Sequence, residues 1–291
     1  MSIRTDLAIE RLEMNGEILP TGVTKKESEN DGVKTIRVEI ETDEAENLLQ
    51  KPKGTYLTFY VSDFKNPTES FLNEVEVVSE QLRTILPKNE KGALIVGLGN
   101  SDITPDALGP KTVSYLFATR HIDDALKQAI GLTGISSVCA IAPGVLGQTG
   151  IETAEIISSL TKELKPSVVI VVDALAAKSI DRLGTTIQIS NTGIAPGSGV
   201  QNKRKELSEK TLGVPVVSMG VPMVVDMTTI AHDIFNEEID NNRISEKGRT
   251  MMVTPREIDV VIEHAAKMVA YAINRALQPT LSLEELVSLV G

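Results

Sequence analysis

Cysteine, histidine and aromatic residues are scarce in this chain: among 291 residues there is one cysteine, three histidines and no tryptophan. A lone Cys139 forms no internal disulfide. It lies in the apolar run Val138-Cys139-Ala140-Ile141, where a small buried hydrophobe lacks the electropositive setting that makes a reactive thiolate. The histidines, His121, His232 and His264, form no H-E-x-x-H and have no second metal-type ligand at short spacing. His232 follows a strand candidate, which leaves it open as a ligand or general base at a crevice; the other two sit on polar helical stretches, where a solvated histidine is the ordinary reading. Basic residues are in deficit as well, 29 Lys and Arg against 40 Asp and Glu, and the net charge of −11 repels phosphate backbones and anionic membranes. No stretch approaches the roughly 18 uninterrupted apolar residues of a membrane helix, and Met1-Ser2-Ile3-Arg4-Thr5-Asp6 is not a basic leader ahead of an apolar run. The expectation is a cytoplasmic protein with no direct nucleic-acid or membrane partner.

Several nucleotide and hydrolase signatures are missing too. There is no G-x-x-x-x-G-K-[ST] and no G-x-S-x-G elbow, since Gly197-Ser198-Gly199 has the wrong spacing. The third glycine of a dinucleotide fingerprint beginning at Gly97 would fall at Asp102, whose carboxylate would face a pyrophosphate.

What is present is an alternation. From Ala93 onward, short β-branched runs (93–96, 137–141, 168–172, 185–189 and 214–218) alternate with helical patterns such as 110–120 and 153–165. This predicts an α/β fold with a mostly parallel twisted sheet flanked by helices. The run 255–277 predicts a long amphipathic helix capped at Thr254. Before residue 90, strands near 34–41 and 55–61 and a helix over 70–85 suggest a β extension packed on the core, because two strands alone are not stable in water.

In open α/β sheets, sites form beyond the carboxyl ends of strands. The loop after 93–96 carries Gly97, Gly99, Asn100 and Asp106; that after 168–172 begins with Asp173; that after 185–189 carries Gly197, Ser198 and Gly199. A carboxylate abutting a buried strand loses hydration, whereas helix-end amides stabilise an anion, so Asp173 and Asp106 are pushed in opposite directions, as an acid/base pair requires. On spacing alone a second reading stands: Asp106 as an N-cap and Asp173 as a strand-end turn residue.

The same loops resemble those of the germination protease family. The matching stretches include Val96-Gly97-Leu98-Gly99-Asn100, Thr104-Pro105-Asp106-Ala107-Leu108-Gly109-Pro110, Ala142-Pro143-Gly144-Val145, Val172-Asp173-Ala174-Leu175-Ala176-Ala177, Pro196-Gly197-Ser198-Gly199-Val200 and Met252-Val253-Thr254-Pro255, in the family's order over nearly the whole chain. The resemblance implies a fold like that of the hydrogenase maturation proteases and an endopeptidase that degrades small acid-soluble, DNA-coating proteins in the spore core. It implies Asp106 and Asp173 as catalytic groups, a homotetramer, and neither metal nor cofactor. Backbone amides at Gly97, Gly99 and Asn100, or around Gly197, Ser198 and Gly199, are the expected oxyanion donors. The family's substrates are cut after an acidic residue in a motif like Thr5-Asp6-Leu7-Ala8-Ile9-Glu10, so residues 1–6 are expected to be a propeptide removed by self-cleavage between Asp6 and Leu7. The division expected is then 1–6, an N-terminal extension over 7–90 and a peptidase core over 91–291. The segment between His232 and Met252 is shorter than in familiar members, which puts zymogen control in doubt rather than the chemistry. The basic cluster Lys203-Arg204-Lys205 is either a solvated loop or a contact for the acidic side chain beside the cut bond. The rival expectations are a metal-assisted peptidase and a nucleotide-binding regulator without activity.

Overall fold

The computed structural model describes residues 4–16, 18–88, 92–129, 131–195, 205–235 and 245–290, the side chains of 232–235 excepted. Among these residues nine strands form one sheet. In chain order they are β1 (Val23–Asn30), β2 (Val33–Ile40), β3 (Gly54–Tyr60), β4 (Ala93–Gly97), β5 (Val138–Ile141), β6 (Val168–Ala177), β7 (Thr186–Ser190), β8 (Val216–Asp226) and β9 (Met252–Val253). Across the sheet the order is β1-β2-β3-β7-β8-β6-β4-β5, with β9 pairing the last residues of β8. The helices are α1 (Ala8–Glu13), α2 (Asp43–Leu49), α3 (Phe71–Ile85), α4 (Leu108–Ser114), α5 (Asp124–Ala129), α6 (Leu146–Thr149), α7 (Thr153–Leu164), α8 (Glu209–Leu212), α9 (Met227–Phe235), α10 (Ile258–Leu277) and α11 (Leu283–Val290).

The α/β class expected from the alternation holds, with the parallel pairs β5–β4, β4–β6 and β6–β8 forming one half of the sheet. The other half, β8–β7–β3–β2–β1, is antiparallel and carries the N-terminal β extension. β7 was expected among the parallel strands, but it begins only a short connection (178–185) after β6 ends, and a parallel return needs a crossover of a dozen or more residues.

Alternation along β6 assigns the two faces. Val168, Ile170 and Val172 enter a core shared with α3 and α10, while Val169 and Val171 pack in a second cluster with Ile157 of α7. The long α10 buries Val261, Ile262, Ala265 and Val269, and burying a valine or isoleucine side chain contributes about 1.5–3 kcal/mol. It starts at Ile258 rather than 255, because the Thr254 hydroxyl donates to the Met223 carbonyl at 2.8 Å instead of capping. The helix expected over 110–120 stops at Ser114. Beyond it Asn274 takes over the backbone: its Nδ2 donates to Tyr115 O and its Oδ1 accepts from Phe117 N–H, both at 2.9 Å.

A third cluster lies toward the N-terminus, where Leu7, Ile9 and Leu12 pack with Ile36, Val38, Leu175 and Ile230. This draws the first described turn of chain onto the sheet face opposite α3 and α10.

Candidate active site

β4 ends at Gly97, paired with Val172, but β6 continues to Ala177 beside β8. Asp173 therefore lies inside a strand, not beyond its end as the apolar run 168–172 suggested; residues 174–177 carry enough small and apolar side chains to extend the pairing. Abreast of Asp173 stands Gly220 of β8, then Gln188 of β7, then Thr58 of β3. Residues in register share a face. Their neighbours Val172, Met219, Ile187 and Leu57 all enter the α3/α10 core, so Asp173, Gly220 and Gln188 face the opposite side. With strands about 4.8 Å apart, the backbones of Asp173 and Gln188 are roughly 10 Å apart across a residue with no side chain.

Asp106 closes a 3-10 turn, Thr104–Asp106, and the loop after β4 reaches back to hold it. The Asn100 N–H donates to Asp106 Oδ2 at 2.8 Å. Gly99 has φ +114°, and a Cβ there would lie 1.8 Å from the Asp106 carbonyl oxygen. A Cβ on Gly97 would fall 2.2 Å from Gly109 O, so Gly97 and Gly109 let α4 approach β4 closely. Among the loop amides expected as oxyanion donors, that of Asn100 is thus engaged with Asp106, and Gly97 serves packing. Asp173 is 7% exposed, and its Oδ1 accepts the Ala174 N–H at 3.0 Å.

Both aspartates line one cavity of about 590 Å³, and Asp6, Lys51 and Gln188 line it with them. Asp6 attaches to β6 past the last residue paired with β4: its N–H donates to Ala176 O at 2.8 Å, and its Oδ2 accepts the Ala176 N–H at 2.9 Å. The Asp6 carbonyl oxygen accepts from Lys51 Nζ at 2.7 Å and from Gln188 Nε2 at 3.0 Å. Gln188 Oε1 accepts the Ala8 N–H at 2.7 Å, and the Leu7 N–H donates to Thr5 Oγ1 at 2.9 Å. Leu7 itself is fully buried.

Gly197, Ser198 and Gly199 lie outside the described residues, as do Lys203, Arg204 and the His232 side chain. Lys205 pairs with Glu155 at 3.2 Å on an exposed surface. His264 Nδ1 sits 2.8 Å from Phe64 O, and His121 is exposed. Burial pushes the half-buried Cys139 thiol up, away from a thiolate. Among the described residues, no three His, Cys, Asp or Glu come together as a metal-holding group.

Lys51 and Gln188 were not expected at the cavity. Gln188 left a signal in Thr186-Ile187-Gln188-Ile189-Ser190: a polar residue between two isoleucines of a strand buried along its whole length. Lys51, in Gln50-Lys51-Pro52-Lys53, reads as surface and gives none.

A family model described as germination protease matches residues 6–241. A germination protease of Clostridium perfringens (strain SM101 / Type A) is 42% identical, covering 98% of this chain and 98% of that protein. Another, from Clostridium tetani, is 38% identical over 99% of each, and one from Geobacillus sp. (strain WCH70) is 37% identical over 95% and 94%. The NiFe hydrogenase maturation protease HycI of Thermococcus kodakarensis KOD1 superposes with a TM-score of 0.37 at 17% identity, over 68% of this chain and 98% of that one, a likeness too distant to carry an argument. With a family match over most of its length and relatives this similar from end to end, the chain belongs to the germination protease family of peptidases.

Proposed function

We propose that this peptidase is an autoprocessing endopeptidase in which Asp106 and Asp173 activate water, and that its substrates are the small acid-soluble, DNA-coating proteins of the spore core. One carboxylate takes a proton from water, whose oxygen attacks the scissile carbonyl carbon. The other carboxyl group gives a proton to the leaving nitrogen as the C–N bond breaks. The enzyme works without metal or cofactor in the spore cytoplasm, as a homotetramer, and is made with residues 1–6 as a propeptide.

The observation that carries this reading is Asp6. It lines the same cavity as both aspartates and is fastened to Ala176 of β6 by two hydrogen bonds, one from its backbone N–H and one to its side-chain Oδ2. Bonds on both sides of Asp6 fix the position of its peptide groups, which is how a protease holds a substrate near attack geometry. The docked segment Thr5-Asp6-Leu7-Ala8 places an acidic residue just before the bond to be cut.

Incubation at mildly acid pH followed by N-terminal sequencing tests the self-cleavage: Leu7 is the expected new terminus, and an unchanged Met1 or Ser2 terminus in active enzyme rejects it. Asp106→Asn and Asp173→Asn are each expected to abolish self-processing and cleavage of a small acid-soluble spore protein while leaving the chain folded. Full activity in either variant overturns the assignment. Activity that survives a chelator is expected; its loss favours a metal-assisted peptidase. Light scattering checks the tetramer.

A further inference from the structure

We infer that the side chains of Lys51 and Gln188 are a further pair of catalytic groups, which grip and polarise the carbonyl oxygen of the bond being cut. The inference rests on the proposed cleavage at Asp6–Leu7 by Asp106 and Asp173.

A carbonyl oxygen has two lone pairs, and that of Asp6 receives two side-chain donors, an ammonium at 2.7 Å and an amide at 3.0 Å. When water adds to the carbonyl carbon, this oxygen takes a full negative charge. Donors already in place cost no reorganisation at that moment, and inside a cavity they act more strongly than in water. A charged ammonium is a stronger donor to this atom than a neutral amide.

The orientation of the Gln188 amide follows from the second bond it makes. Ala8 N–H is a donor, so the atom 2.7 Å from it is the amide oxygen, which turns the NH₂ toward Asp6 O. Gln188 thus bridges Leu7, holding the Asp6 carbonyl through its Nε2 and the N–H of the following Leu7–Ala8 peptide through its Oε1. On the leaving side, the Leu7 nitrogen is held by Thr5 Oγ1. From Gln188 the sheet row continues through Gly220, which has no side chain, to Asp173. A Cβ on Gly220 would meet Asp173 O at 2.6 Å.

Lys51 reaches the site from the end of α2, where Gln50 takes the left-handed conformation (φ +53°, ψ +38°) and turns the chain out of the helix. Burial pushes the Lys51 amine below the ordinary lysine range; Asp6 opposes that, Arg11 adds to it, and Glu10 opposes it. Activity carried by the protonated amine therefore falls on the alkaline side as Lys51 loses its proton, and a guanidinium in its place keeps its charge to higher pH.

The test follows self-processing of the full-length chain by mass spectrometry across pH, in wild type, Lys51→Met, Lys51→Arg and Gln188→Leu, beside Asp106→Asn and Asp173→Asn. Thermal melting of each shows that it is folded. Removing one such donor typically slows reaction about 100- to 1,000-fold, and Lys51→Met and Gln188→Leu are each expected to do so. Lys51→Arg is expected to recover most of the rate and to move the alkaline limb upward. Wild-type rates in Lys51→Met, or an alkaline limb unmoved in Lys51→Arg, with the aspartate variants inactive, overturn the inference alone. Wild-type rates in the aspartate variants overturn instead the reading beneath it.

Discussion

Glu10 is completely buried, and Arg182 meets its Oε1 through Nη1 at 2.8 Å. The same carboxylate accepts the backbone N–H groups of Lys178 at 2.6 Å and Ser179 at 3.0 Å, and the Thr5 hydroxyl. One acid at the start of α1 thus fastens the segment 5–10 to the stretch just after β6, and Asp6 is aligned on Ala176 partly as a consequence. Arg182 also pairs with Glu13 at 2.7 Å, so removing Glu10 leaves its guanidinium compensated but strips the Lys178 and Ser179 N–H groups and the Thr5 hydroxyl of their acceptor. Glu10→Ala is therefore expected to loosen α1 specifically. Hydrogen exchange should show lost protection over residues 7–13 with α10 unchanged; equal protection in both segments would contradict the pairing.

Gly99 offers a way to disturb Asp106 without replacing it. Its φ of +114° is costly for any L side chain, and an added Cβ would lie 1.8 Å from Asp106 O. Gly99→Ala is expected to push the 3-10 turn away and break the Asn100–Asp106 bond. A misplacement of about 1 Å at a reacting group costs on the order of 100-fold in rate, so self-processing should slow by that order or more in chain that circular dichroism shows to be folded.

Much of this arrangement was legible in the chain. The apolar runs at 93–96 and 168–172 gave the parallel centre, and the residues following them supplied the two aspartates that line the cavity. The extents of β6 and β8 were not legible, because Asp173 and Gly220 interrupt the apolar pattern at the very row where the strands pass the cavity. β1, with the sequence VTKKESEN, was invisible for a different reason: an edge strand with one partner and mostly exposed side chains carries almost no alternation. The docking of Asp6 is a tertiary event. Nothing local in Thr5-Asp6-Leu7 requires Ala176, Lys51 and Gln188 to converge on it, since those residues come from β6, the connection after α2 and β7.

Glu263 on α10 accepts from the Tyr115 hydroxyl and from Lys111 Nζ at 3.0 Å. The Tyr115 bond is the largest influence holding the Glu263 carboxyl below its usual 4.5, with burial opposing and Lys111 and Lys267 assisting. A carboxyl group whose folded pKa lies below its unfolded one stabilises the fold above the unfolded pKa, and that contribution disappears as pH falls through the folded pKa. Tyr115→Phe is expected to lower the unfolding free energy by about 1 kcal/mol at pH 7, less than the usual contribution of a hydrogen bond to a charged group because Glu263 is about one third exposed. The deficit should shrink steadily below pH 4.5. Urea denaturation at pH 7 and in that acid range measures both, and a deficit independent of pH would assign the loss to packing.

The two bonds between Asp6 and Ala176 separate backbone docking from recognition of the acid. Asp6 N–H to Ala176 O depends on no side chain, whereas Ala176 N–H to Asp6 Oδ2 requires an acceptor in the side chain. Asp6→Ala keeps the first and deletes the second. Asp6→Asn keeps an acceptor but removes the negative charge that acts on Lys51. A hydrogen bond to a charged group contributes about 1.5–3 kcal/mol, or roughly 10- to 100-fold in rate. Self-cleavage of Asp6→Ala should be slower by that factor, with Asp6→Asn between it and wild type. If Asn and Ala slow it equally, charge rather than the Ala176 bond selects the acid. If neither slows it, this side chain is not what the cavity reads.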